Sequence, residues 1–296
     1  MMSYFTDSVL QAPTIGCMLI SFIAALVGSF MVLQGKSLIG ETLSHTSYPG
    51  VILALIIERC FFQIDDGALS TAILSLVGAA ATSFLGLYSI RVLERRLHLA
   101  PDNALSWTLV VFFGAAMTLL SATQEEYPML YNGLQAYLFG QAATMTSVHV
   151  HILTTIAVVM TLLVVIFFRM IRLHLFDPTF GHMLGLARKK LDALLFFMIV
   201  VAVVVGIRAV GVVLMSAMLI IPSISCRQFS NTLTTILVSA SILGAISGFL
   251  GVVIAHEASS MTSSSVSLPT GPIIVLVAFL FFVCAVARKF IMARKA

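Results

Sequence analysis

Residues 13 to 33 read PTIGCMLISFIAALVGSFMVL, and residues 34 to 51 continue QGKSLIGETLSHTSYPGV. The first segment is uncharged and long enough to cross roughly 30 Å of hydrocarbon as a helix, which takes about 20 residues. The second is polar and sets Gly35, Gly40, Pro49 and Gly50 beside Glu41 and His45. Its composition reads as non-helical backbone, which is tolerated at membrane depth only inside protein or beside a water-filled path.

Outward from this pair, apolar windows recur to residue 287. Further spans are expected at 51 to 57 (short, extended backwards through the polar stretch), 68 to 90, 105 to 123, 148 to 168, 232 to 255 and 272 to 287. The 34 residues from 193 to 226 are too long for one crossing and are interrupted at Gly206, Arg208 and Gly211, so they read as two spans. The fold class is therefore all-α: a polytopic transmembrane bundle of nine spans, or eight if the polar stretch is re-entrant, forming one domain over residues 1 to 296.

Composition excludes the soluble classes, since 60% of the residues are hydrophobic and only 9% charged, against about 25% charged in soluble domains. The formal charge of +4 does not mark a nucleic-acid binder, because the basic residues are scattered between apolar spans instead of clustering on one face. Cys17, Cys60, Cys226 and Cys284 lie far apart, mostly in apolar runs, and read as small buried hydrophobes, not as a disulfide or zinc framework. No Lys or Arg precedes Lys36, whereas a cleavable signal peptide carries a basic stretch before its apolar one, so the first span is expected to be retained.

The basic residues report topology instead. Arg91, Arg95 and Arg96 mark one loop, Arg169, Arg172, Arg188, Lys189 and Lys190 a second, Arg227 a third, and Arg288, Lys289, Arg294 and Lys295 the C-terminal end. With Lys36, 14 of the 16 basic residues fall on one side, which the positive-inside rule makes cytoplasmic. Nine spans then place the N-terminus outside. Small residues at four-residue spacing, Gly78, Thr82 and Gly86, then Ala240, Gly244 and Gly248, would permit close helix approach.

Glu41 and His45 are four residues apart, so on a helix they share a face and can reach one cation. Carboxylate oxygen with imidazole nitrogen suits borderline divalent ions such as manganese, iron or zinc, and the lack of thiolates argues against copper(I). The competing reading pairs the two residues with each other at a helix end. Inside a membrane bundle, an ionisable side chain is costly and by default functional. The other histidines offer less: His98, His174 and His182 fall in basic loops and read as solvated or interfacial, His149 and His151 face different ways on a helix, and His256 with Glu257 ends a span at an outer loop.

The segment LFDPTFGHMLGLARKK (175 to 190) places Asp177 before Pro178, an N-cap and first-turn proline, with Leu184 to Leu186 closing a short helix around Gly185. Such a helix can anchor at the interface or dock a partner. No G-x-x-x-x-G-K-[ST] phosphate loop occurs, so the chain cannot itself be an ATPase.

Four stretches in order, GETLSHTSYPGVILAL (40 to 55), FDPTFGHMLGL (176 to 186), IRAVGVVLMSAMLIIPSISCR (207 to 227) and LPTGPIIVL (268 to 276), resemble the permeases of bacterial ABC-type manganese, zinc and iron importers. The first is similar to that family's Gly-Asp-Ala-Leu-Ser-His-Ala-x-x-Pro-Gly stretch. Here Glu41 stands where aspartate is common, keeping the charge with an arm one methylene longer. The resemblance implies a type II ABC importer-like fold in the bacterial inner membrane, a non-enzymatic homo- or heterodimer of permeases, two cytoplasmic ATP-binding subunits and an external metal-binding protein. It also implies that the divalent ion is cargo, not a resident cofactor. Phe176, Asp177, Pro178, Phe180, Leu184, Gly185 and Leu186 would form the coupling helix in an ATPase groove. A proton-coupled secondary transporter would need several intramembrane acids where Glu41 is the one candidate, and a scaffold would not need the Glu-His stretch.

The topology carries its own test. In intact cells, single cysteines at residues 102 or 188, in a chain otherwise freed of cysteine, should resist a membrane-impermeant thiol reagent and react once the cells are opened; strong labelling from outside would overturn the assignment.

Overall fold

In a computed structural model, the described residues are 8–61, 69–140, 142, 145–185, 188–230, 232–261 and 269–293. They form α1 (Ser8–Leu33), α2 (Leu38–Phe61), α3 (Leu69–Arg96), α4 (Pro101–Glu126), α5 (Pro128–Phe139), α6 (Ser147–Phe176), α7 (Pro178–Met183), α8 (Arg188–Val210), α9 (Val212–Arg227), α10 (Leu233–Met261) and α11 (Thr270–Ala293). No strand occurs among them. In hydrocarbon only helices and closed barrels satisfy their own backbone groups, and the described elements are all helices.

The polar stretch corrects the expectation of broken backbone. Only residues 34–37 leave the helix, in a turn where Gly35 takes φ 68° and the Lys36 amide donates to the Met31 carbonyl at 3.0 Å. From Leu38 the helix runs through Pro49 to Phe61. The hydroxyls of the stretch are spent within the helix: Thr42 donates to Leu38 O (2.9 Å), Ser44 to Gly40 O (2.8 Å) and Ser47 to Ser44 O (2.7 Å). Polar side chains bonded to their own helix's carbonyls need no water.

The span count is corrected too. Seven helices among the described residues are long and apolar enough to cross a membrane. The remaining two expected spans exist as helices but miss that standard for different reasons: α2 is too polar, and α9, at 16 residues, is too short. The break between α8 and α9 falls at Gly211, whose φ of 93° is a left-handed conformation that only glycine adopts without strain.

Helix α1 is the central post. Of its apolar window 78% is buried, against 22% for α6 at the periphery. Helix α10 packs along it, with Gly244 and Gly248 set against the Ser21 and Cys17 carbonyls, and α9 crosses it where Gly28 meets the Leu219 carbonyl. The Ser29 and Ser223 hydroxyls lie 2.9 Å apart across that crossing. Helix α2 is held the same way against α3: Gly50 and Gly78 lie backbone to backbone, and Gly86 faces Thr46. Both small-residue stripes thus sit in helix interfaces, where absent side chains let backbones approach. Large exposed apolar residues such as Val165, Ile166 and Leu280 form the outer face, as expected for contact with lipid tails.

Filling the α2–α3 contact should therefore damage the whole N-terminal half. Gly78→Leu, whose side chain would meet the Gly50 carbonyl and Ala54, should lower the Tm of the detergent-solubilised protein by about 2–10 °C. Gly114→Ala, where a Cβ meets nothing within 4 Å, should leave it unchanged.

Candidate metal site and basic loop

Glu41 lies in the first turn of α2, where the unpaired backbone amides favour a carboxylate. His45 follows one turn later, and both side chains are half-buried. The imidazole meets the edge of Phe113 on α4, with ring centroids 4.7 Å apart and planes at 72°. Its Nδ1 is buried and has no hydrogen-bond partner. Among the described residues no hydrogen bond or ion pair joins Glu41 to His45. A buried imidazole nitrogen left unpaired costs free energy comparable to a lost hydrogen bond unless something occupies its lone pair.

The surrounding contacts fix this turn of α2. Thr42 reaches the Leu105 carbonyl of α4 at 3.4 Å, and the buried Tyr48 hydroxyl donates to the Leu134 carbonyl of α5 at 3.1 Å. Pro49 has no N–H to return to the carbonyl of His45, which loosens the helix beside the imidazole. Among the described residues no three His, Cys, Asp or Glu side chains converge.

A cavity of about 440 Å³ opens at the foot of α2, on the basic end of the bundle. Ile39, two residues before Glu41, and Leu105, whose carbonyl Thr42 contacts, form part of its wall. Lys36, Arg91, Arg95 and Lys189 line it together with Glu94, Asp102 and Asp192.

The other sequence candidates separate. His149 is spent on capping α6, its Nδ1 2.6 Å from the Thr146 hydroxyl, and His151 Nδ1 lies 2.7 Å from the Ser147 carbonyl. His98 is exposed, with φ 53°. Glu58, which the sequence reading does not single out, is 5% exposed near the far end of α2. His174, expected to be solvated or interfacial, has a side chain only 8% exposed, with Nε2 2.8 Å from Asp192 Oδ1. The one sequence signal for that pair was an acid directly after the run Arg188-Lys189-Lys190-Leu191.

In the basic loop, Asp177 serves two helices. Its amide donates to Leu173 O at 2.9 Å, ending α6, while its Oδ1 accepts the Phe180 amide at 2.9 Å and caps α7. Pro178 opens α7. The short helix ends at Met183, earlier than the sequence suggested; Leu184 donates to Phe180 O at 3.1 Å and Gly185 turns at φ 75°, while Leu186 lies outside the described residues. Phe176, Phe180, Met183 and Leu184 are all exposed.

An apolar bundle of helices, seven of them among the described residues long and apolar enough to cross a membrane, packed around one polar helix defines a multi-pass membrane protein. The chain belongs to the ABC 3 transport family, whose model matches residues 6–289. It is 35% identical over 277 residues to the zinc transport system membrane protein TroC of Treponema pallidum, covering 94% of this chain and 88% of that protein. It is also 35% identical over 277 residues to the manganese transport system membrane protein MntC of Bacillus subtilis, covering 92% of this chain but 60% of that longer protein. The structure of PsaBC from Streptococcus pneumoniae in complex with Fab shares the fold, with TM-score 0.79 and 24% identity over 96% of this chain and 95% of that one.

The double use of Asp177 gives a local prediction. Asp177→Ala should cost α7 about 1 kcal/mol and speed hydrogen exchange at the Phe180 amide about fivefold, with the α1 amides unaffected.

Proposed function

We propose that this chain is the permease subunit of an ATP-driven importer for a divalent transition-metal ion. The observation that carries the reading is the buried, unpartnered Nδ1 of His45 one turn from the Glu41 carboxylate, on the polar helix of an apolar bundle. The names of the zinc and manganese transport relatives agree with that chemistry.

An external binding protein would deliver the ion to the outer mouth. Glu41 offsets its charge and the neutral imidazole supplies a nitrogen, a donor set that suits manganese, zinc or iron. Two side-chain donors hold a dication weakly, which fits passage better than storage, and a second permease subunit, identical or related, would enlarge the set. The ion would leave through the cavity beneath Ile39 into the cytoplasm. The exposed Phe176, Phe180 and Leu184, with Asp177, Pro178, Gly185 and Leu186 shaping the turn, would seat in a groove of the cytoplasmic ATPase, whose hydrolysis drives alternating access. A proton relay fits less well, because Glu41 and Glu58 stand seventeen residues apart on one helix, about 25 Å at 1.5 Å per residue.

Uptake in reconstituted vesicles holding the permease, its ATPase and its binding protein tests the site. His45→Ala and Glu41→Gln should each lower metal uptake roughly 10–100-fold while abundance and assembly stay normal. Manganese favours oxygen donors more than zinc does, so Glu41→Gln should impair manganese uptake more if both ions are carried. Near-normal uptake by the double variant at normal abundance would remove these residues from the pathway.

A further inference from the structure

The loop that carries α7 leaves the bundle at the end of α6 and returns at the start of α8, and one polar contact ties these two points together. His174 Nε2 and Asp192 Oδ1 are 2.8 Å apart, with side chains 8% and 33% exposed. The pair, eighteen positions apart, thus closes the base of a segment whose middle is a six-residue helix with exposed apolar side chains. A helix that short has little stability of its own, so the orientation it presents depends on how its base is held.

Asp192 also borders the cavity at the foot of α2. On α8 it shares that wall with Lys189, Ala193 and Phe196, across from Ile39 of α2. The same carboxylate therefore touches the base of the loop on one side and the space beneath Glu41 on the other. A charge-assisted hydrogen bond to a largely buried imidazole is directional and stronger than a neutral one, so it passes displacement between helix ends that apolar contact alone would let slide.

We propose that His174 and Asp192 form a positioning clamp that transmits movement of the α6–α7 loop to the α8 wall of the inner cavity, coupling ATP hydrolysis in a partner to opening of the path below Glu41. The inference rests on the loop being the ATPase contact. Neither residue touches the ion; both act through the helices they join.

The test measures ATP hydrolysis and uptake of manganese or zinc ions, each alone, in the same vesicles containing permease, ATPase and binding protein. His174→Ala and Asp192→Ala should each lower the ions moved per ATP about tenfold, the order expected for losing one charge-assisted hydrogen bond, with hydrolysis itself retained. The double alanine variant should be no worse than either single, because both remove one interaction. Asp192→Asn keeps an acceptor for the Nε2–H without the charge and should give a ratio between those of the unaltered protein and Asp192→Ala; a ratio no better than that of Asp192→Ala would overturn the hydrogen-bonded clamp. Should the alanine variants fail to assemble, the exchange of His174→Asp with Asp192→His decides: recovery of the ratio supports the clamp, and an assembled but uncoupled exchange variant overturns it. An unchanged ratio in either alanine variant, or additive losses in the double, also overturns it. Gly185→Pro, which breaks the turn after α7, is measured alongside. If it uncouples while Asp192→Ala does not, the clamp alone falls; if neither does, the loop is not the ATPase contact and the proposed coupling falls with it.

Discussion

The structure turns on the shelter of one polar helix by apolar ones. Carrying Glu41, His45, Glu58 and a series of hydroxyls through a membrane bundle is tolerable only where neighbouring helices exclude lipid and supply partners. Helix α3 does so by coming close enough at Gly50 and Gly78 that backbone meets backbone, α4 through Phe113 and the Leu105 carbonyl, and α5 through the carbonyl that accepts the Tyr48 hydroxyl. The local bonds of Thr42, Ser44 and Ser47 leave few polar atoms on α2 open, which makes the unpaired His45 nitrogen conspicuous.

Around that core, rigidity and freedom are unevenly shared. The α1–α10 and α1–α9 crossings are built from glycines against carbonyls and a serine pair, contacts that shift only as a unit. The basic end is looser. There the foot of α2 borders open space, α7 is a single capped turn and a half, and the C-terminal helix is tied by Arg288 over Phe229, 5.2 Å from its centroid, and by Lys289 donating to Gln228 at 2.9 Å. An element that must move needs such weak edges, since local stability follows the density of buried contact.

Much of this was legible in the residues. Uncharged windows of spanning length announced the bundle, and the small-residue spacings of Gly78, Thr82 and Gly86 and of Ala240, Gly244 and Gly248 foretold two tight interfaces. What escaped did so for physical reasons. Gly and Pro within 34 to 51 argued for irregular backbone, but tertiary packing overrode those propensities once hydroxyls could bond within their own helix. The count of spanning helices comes out at seven, not eight or nine, because hydropathy measures compatibility with lipid and α2 touches mainly protein, while α9 is short. His174 and Asp192 lie eighteen residues apart on separate helices, so no periodicity links them, and a carboxylate amid lysines looks solvated until the fold buries its partner.

The polarity of α2 also bears on how the protein is made. A helix is admitted to lipid on its own composition, and the polar side chains spread along α2 weigh against it. Helix α2 is synthesised immediately after the strongly apolar α1 and before α3, α4 and α5, the elements that enclose it. When it emerges its shelter does not yet exist. Its polar side chains therefore meet their partners only as those three helices join it, and α2 reaches its final environment no earlier than the helices made after it.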